Sequence, residues 1–166
     1  MVANHEPAPQ AGKYARYELE RKFLLAGAPG GLADDSKLYD RYIIGTRLRL
    51  RRVEHPDGRL EFKLSQKEAS PKGAAVLTIT TMYLRQEEYE LLAVLPAHEL
   101  RKRRHRTADY SIDIFEGALT GLVLAEREFA SEEELWRDPA PELAVRDVST
   151  DERYTGASLA ANGLPR

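Results

Sequence analysis

Three arginines alternate with leucines in Arg47-Leu48-Arg49-Leu50-Arg51, and this stretch restricts the fold more than any other. In a β-strand, residues i, i+2 and i+4 share a face. Read that way, three guanidiniums stand on one face and two leucines on the other. The pattern recurs along the chain. Glu18, Glu20 and Lys22 oppose Leu19, Arg21 and Phe23. Glu61, Lys63, Ser65 and Lys67 oppose Leu60, Phe62 and Leu64. Lys102, Arg104 and Arg106 share a face, Asp113 opposes Ile112 and Ile114, and Glu126 and Glu128 oppose Ala125, Arg127 and Phe129.

Breakers set the boundaries of these strands. Gly27 to Gly31 interrupts the chain after a strand over Tyr17 to Leu25, and Gly45 turns a strand pair within Arg41 to Val53. Pro56-Asp57-Gly58 marks a hairpin into Leu60 to Lys67. Ser70 to Gly73 reads as a loop before a Val, Ile and Thr-rich strand over Ala75 to Tyr83. Further strands are expected at Leu100 to Arg106, Tyr110 to Phe115 and Leu122 to Phe129; Asp34 to Tyr39 is ambiguous. Helices are expected at Gln86 to Leu95, after a Ser131 cap through Trp136, and at Asp151 to Ala161. Leu135 and Trp136 are assigned to the core. The sum is about eight short strands with a few helices, a β-barrel or sandwich. Residues 14–166 form one domain behind a flexible tail over 1–13.

A polar strand face is ordinarily the wet side of a sheet. Here the charges sort by strand, acidic on the first and last and basic between. Like charges at i, i+2 and i+4 repel, and three aligned arginines call for a polyanion. Turned inward in a closed barrel, the glutamates offer hard oxygen ligands for Mg²⁺ or Mn²⁺, and the Arg and Lys ranks offer donors for phosphate oxygens. A metal and cations around a short polyphosphate are what phosphoryl transfer requires.

Glu18-Leu-Glu20-Arg-Lys22 resembles the ExExK signature of the CYTH superfamily, the triphosphate tunnel metalloenzymes. Arg47-Leu-Arg49-Leu-Arg51 is similar to its second, basic signature. Lys63 or Lys67 stands for its strand-four lysine, Lys102 and Arg104 for its later basic strand, and Asp113 to Phe115 with Ala125 to Phe129 for its closing acidic strands. The likeness runs from Tyr17 to Ala160. It implies a mainly β fold: a closed eight-stranded antiparallel β-barrel with peripheral helices. It also implies Mg²⁺ or Mn²⁺ on Glu18, Glu20, Asp113, Glu126 and Glu128. Phosphates would be held by Lys22, Arg47, Arg49, Arg51, Lys63, Lys102 and Arg104, with Lys22 the catalytic candidate that orients or deprotonates water. One departure stands out. Many relatives carry Glu-x-Glu on strand five, where Leu77 to Met82 has no carboxylate.

The favoured function is a metal-dependent triphosphatase acting on inorganic triphosphate or a small organic triphosphate. A class IV-type adenylate cyclase and a non-catalytic triphosphate or polyphosphate binding module are the alternatives. The net charge of −2 argues against nucleic acid as a partner, although Arg101 to Arg106 is basic. His5, His55, His98 and His105 lack zinc spacing. With no cysteine there is neither a disulfide nor a thiolate site. No apolar run is long enough to span a membrane. A cytoplasmic location is expected, and a homodimer is allowed.

Overall fold

Closure of the sheet decides which face of each strand is interior. A computed structural model describes residues 12–33, 35–70 and 73–166. Most of the tail expected over 1–13, together with Asp34 and the centre of the loop expected at Ser70 to Gly73, lies outside these residues. The strands are β1 (Arg16–Leu25), β2 (Asp35–Ile43), β3 (Leu48–Glu54), β4 (Leu60–Ser70), β5 (Gly73–Leu84), β6 (Ala97–Arg106), β7 (Ser111–Phe115), β8 (Val123–Glu128) and β9 (Ala144–Asp147). The helices are α1 (Gln86–Leu92), α2 (Glu132–Arg137) and α3 (Gly156–Asn162).

Eight strands close a ring in the order β5-β4-β3-β2-β6-β7-β8-β1, and β1 pairs back onto β5. Every pairing is antiparallel. The fold is the expected closed eight-stranded barrel, and closure leaves it no long free edge.

The ninth strand was not foreseen. Arg16 to Leu19 of β1 pair with β5, which has left the same edge by the time β1 reaches Phe23. Ala144 to Asp147 of β9 take over that edge at Phe23 to Leu25. Four residues, Ala-Val-Arg-Asp, are too short to show a period, and Pro139 and Pro141 make the region read as loop.

Arg21 fixes these additions to the outside of the barrel. It is buried. Its guanidinium donates to the Asp138 carbonyl at 2.6 Å and to the Asp147 carboxylate at 2.7 Å. Helix α2 starts at the Ser131 cap, whose hydroxyl accepts from the Glu134 N–H at 3.2 Å. Leu135 is fully buried as expected, but Trp136 is 59% exposed, because α2 turns only one face to β1. Outside β4, α1 lays Tyr89 on Phe62 with ring centroids 4.8 Å apart.

One end of the lumen is filled by apolar side chains. Leu24, Tyr42, Leu100, Phe115 and Leu124 meet Leu159 and Tyr154 there. The segment expected as one helix over Asp151 to Ala161 is in fact a 3₁₀ turn at Glu152–Tyr154 and then α3, with the break at Thr155. The Thr155 hydroxyl accepts from the Ser158 N–H at 3.2 Å and caps α3. Gly156 comes so close to Tyr42 that a methyl group there would overlap the phenol.

Leu159 is 1% exposed in this plug. Leu159→Ala is expected to lower unfolding free energy by about 2–5 kcal/mol, read from urea denaturation, because the ring of strands cannot collapse onto the gap.

Candidate functional site

The parity read from the sequence places the charged faces in the lumen, and contacts across the lumen bear this out. Lys67 of β4 reaches Glu18 of β1 at 2.5 Å. Arg104 of β6 reaches Glu126 of β8, two strands away. Ser65, hydrogen-bonded to Thr81 on the neighbouring β5, is buried on the same face.

Glu18, Glu20 and Glu128 bring one carboxylate oxygen each within 4.8 Å of one another. This follows from register, since Glu20 lies opposite Glu128 across the β1–β8 ladder. Burial, and after it Glu126, raises the pKa of Glu20 above the ordinary carboxylate value. Three hard oxygen donors this close together suit Mg²⁺ or Mn²⁺. Beside the cluster a cavity of about 420 Å³ opens at the β6–β7 turn, lined by Glu20, Arg104, Arg106, Ser111, Glu126 and Glu128.

Two other acidic positions are engaged by cations. Asp113 is fully buried and accepts hydrogen bonds from both Lys102 and Arg104, the latter at 2.6 Å through two nitrogens. It has no place in the oxygen cluster. Glu126 is bound by Arg104 and lies 3.5 Å from the Lys22 ammonium. Burial alone would raise the pKa of Glu126, but Lys102, Arg104 and Lys22 pull it well below the usual carboxylate range. The sequence grouped all five acids because they share a parity; what separates them is which cations stand opposite.

Lys22 lies 3.7 Å from Glu20 and 3.5 Å from Glu126. Burial alone would lower its pKa, but Glu126 and Glu20 more than offset this and hold the ammonium charged. In that state it can orient and stabilise an anion and is a poor proton acceptor. Lys102 differs: burial pushes its pKa down against the pull of Asp113.

The remaining cations divide by partner. Arg51 is held by Asp40 through two hydrogen bonds of 2.6 Å. Lys63 pairs with Glu61 at 2.7 Å and Lys67 with Glu18, so both strand-four lysines share the inward parity. Arg49 makes no ion pair among the described residues, and its Nε is buried without a hydrogen bond. Arg47 departs from expectation. It sits in the exposed turn before β3 and pairs with Glu68, because the strand begins only at Leu48. Asp40 and Tyr42 were missed. Asp40 and Tyr42 have inward parity on β2, with Arg41 facing out between them; the sequence reading began this strand at Arg41 and left Asp34 to Tyr39 ambiguous.

No protein-family model matches the sequence, and no curated protein matches it. Two solved structures of one protein, NE1496, share the fold, each at 25% sequence identity and TM-score 0.58. One, described as a hypothetical protein, is matched over 89% of this chain and 99% of its own. The other, described as an inorganic triphosphatase, is matched over 90% of this chain and 97% of its own. No helix among the described residues is long and apolar enough to cross a membrane. The fold of this chain is the CYTH-type triphosphate tunnel.

Proposed function

We propose that the lumen binds a triphosphate together with a divalent cation and hydrolyses its terminal anhydride bond. The observation that carries this reading is the division of one lumen between three clustered carboxylates, Glu18, Glu20 and Glu128, and cations from β1, β3, β4 and β6. The likeness to the inorganic triphosphatase NE1496 supports it.

Glu18, Glu20 and Glu128 would hold the Mg²⁺ or Mn²⁺, which when bound supplies charge neutralisation to phosphate oxygens and acidity to water. Arg49, which makes no ion pair among the described residues, has its guanidinium uncommitted and can turn to a bound phosphate. Arg51, Lys102 and Arg104 stand beside it, already oriented by buried carboxylates. Lys22, kept charged between Glu20 and Glu126, stabilises negative charge on the transferred group. In the reaction a water oxygen bonds to the terminal phosphorus while the bridging P–O bond breaks. Its electron pair leaves with the diphosphate, and the water proton passes to solvent.

A second reading draws on β5, whose inward positions Leu77, Ile79, Thr81 and Tyr83 carry no carboxylate. With acidic ligands on one wall alone, the tunnel could bind a triphosphate without turning it over. Incubation with inorganic triphosphate, ATP and thiamine triphosphate, each with Mg²⁺ or Mn²⁺, decides between the readings. Metal-dependent orthophosphate release is expected, strongest on one substrate. Cyclic AMP would point to a cyclase instead, and a raised melting temperature without any product to a binding module.

Glu20→Gln separates the metal role from a structural one. With its pKa raised by folding, Glu20 binds its proton more tightly in the folded chain. Its ionisation therefore costs stability as pH rises above the ordinary carboxylate value, and costs nothing below it, where both states are protonated. Without metal, Glu20→Gln is expected to melt higher than the parent at neutral pH. That gain should vanish near pH ~3, where the carboxyl is neutral in both states. The variant should lose metal-dependent hydrolysis and the stabilisation that added Mg²⁺ or Mn²⁺ gives the parent.

Arg49→Ala is expected to raise KM for the triphosphate by about tenfold or more, the scale of one charge-assisted hydrogen bond, with a smaller effect on kcat. Steady-state kinetics at two ionic strengths would check this, since added salt should narrow the difference.

A further inference from the structure

Asp40 is an anomaly in an anion-binding lumen. It is 1% exposed, lies on the inward face of β2, and is negatively charged where a polyanion must come. Burial alone would raise its pKa, yet Arg51, Arg49 and Lys102 hold it well below the carboxylate range, so it stays ionised. A carboxylate at such a place works against an incoming phosphate through simple Coulomb repulsion. Its geometry shows what it does instead.

Asp40 lies directly opposite Arg51 in the β2–β3 register. Its Oδ1 accepts from Arg51 Nε and its Oδ2 from Arg51 Nη2, each at 2.6 Å. This two-point grip fixes the plane of the guanidinium as well as its position. Of the five N–H bonds of Arg51 it uses two, which leaves three for another acceptor. Neighbouring strands crowd this arginine with like charge. Lys63 lies opposite it on β4, and Arg49 shares its face of β3. Without Asp40, Arg51 would be free to swing away from them.

We propose that Asp40 is a positioning residue: it holds the Arg51 guanidinium in one plane within the lumen, so that its remaining N–H donors meet a phosphate group of the bound triphosphate without reorganisation. The inference rests on the triphosphate reading above and deepens it. Asp40 touches no substrate atom and acts only through Arg51.

Charge and positioning predict opposite signs for Asp40→Asn. Deleting a negative charge beside a polyanion site should tighten binding by Coulomb's law alone. Loss of the grip should weaken it. The test measures inorganic triphosphate binding by calorimetry, and KM and kcat with Mg²⁺, for the parent, Asp40→Asn, Arg51→Gln and the double variant. Asp40→Asn is expected to weaken binding and raise KM by about tenfold or more, the scale seen when a partner that holds a ligand-binding group in place is lost, with kcat moved less. In the Arg51→Gln background the same replacement should bring no further weakening.

Asp40→Asn that binds as tightly as the parent, or more tightly, overturns the proposal. If Asp40→Asn alone does not fold, Asp40→Glu, which keeps the charge and displaces the carboxylate, takes its place. Weaker triphosphate binding by Asp40→Glu supports positioning, and unchanged binding overturns it. A parent that neither binds nor hydrolyses triphosphate removes the functional reading, and Asp40's role falls with it. A parent that does bind, beside an unimpaired Asp40→Asn, removes the role of Asp40 alone.

Discussion

The pairing of cations with buried carboxylates inside the lumen is the constraint on which this structure depends. A barrel that turns arginine and lysine ranks inward places like charges a few ångströms apart with little water to screen them. Left alone they would splay apart or, for lysine, shed the proton. Asp40 beneath Arg51, and Asp113 beneath Lys102 and Arg104, are the most deeply buried of the anions that oppose this. Both are essentially inaccessible, with 1% and 0% of their surface exposed. They keep the cation wall charged and ordered while no ligand is present. Such pairs are poor sources of net stability, since desolvation offsets most of the attraction. Their effect here is on geometry: donors aimed in advance need little reorganisation when an anion arrives.

The remaining architecture follows from keeping that lumen closed at one end. Along β1 the inward residues run Glu18, Glu20, Lys22 and Leu24, a passage from carboxylate to cation to hydrocarbon in four steps. Leu24 marks where the polar lumen stops and the plug around Leu159 and Tyr154 begins. The return of the chain over β1 is tied at the same level. The Val148 N–H donates to the Lys22 carbonyl at 2.9 Å, and the Lys22 N–H donates to the Ser149 hydroxyl at 2.9 Å. The backbone of Lys22 is thus clamped from outside while its side chain works within.

Much of this was legible in the sequence because strand parity is a rule without exceptions inside a regular ladder. Glu18, Glu20, Lys22, Arg49, Arg51, Lys63, Lys67, Lys102, Arg104, Glu126 and Glu128 all share the inward parity that alternation gave them. Parity fails where the strand does. Arg47 kept the spacing but fell in the turn, and so left the group. Alternation also cannot say which inward charge meets which, since that depends on ring order and stagger. Hence Asp113 and Glu126 share the parity of Glu18, Glu20 and Glu128, while the charges that meet them are Lys102 and Arg104. Asp40 escaped notice for the opposite reason: a single aspartate between two tyrosine-bearing positions carries no pattern, and only its place opposite Arg51 makes it matter.

The bare wall of β5 has a consequence for how the two halves of the lumen communicate. In ring order β5 separates the lysines of β4 from the glutamates of β1. It contributes Leu77, Ile79, Thr81 and Tyr83 inward, with no acid of its own to engage either neighbour. Lys67 therefore reaches across β5 and binds Glu18 directly. The same Glu18 belongs to the oxygen cluster with Glu20 and Glu128. A divalent cation held on that cluster would compete with the Lys67 ammonium for one carboxylate. A lysine released from Glu18 would stand near Ser65 and Arg49, on the basic side of the lumen. Occupation of the acidic wall would then prepare the basic one, and a carboxylate on β5 would have broken that link by giving Lys67 another partner.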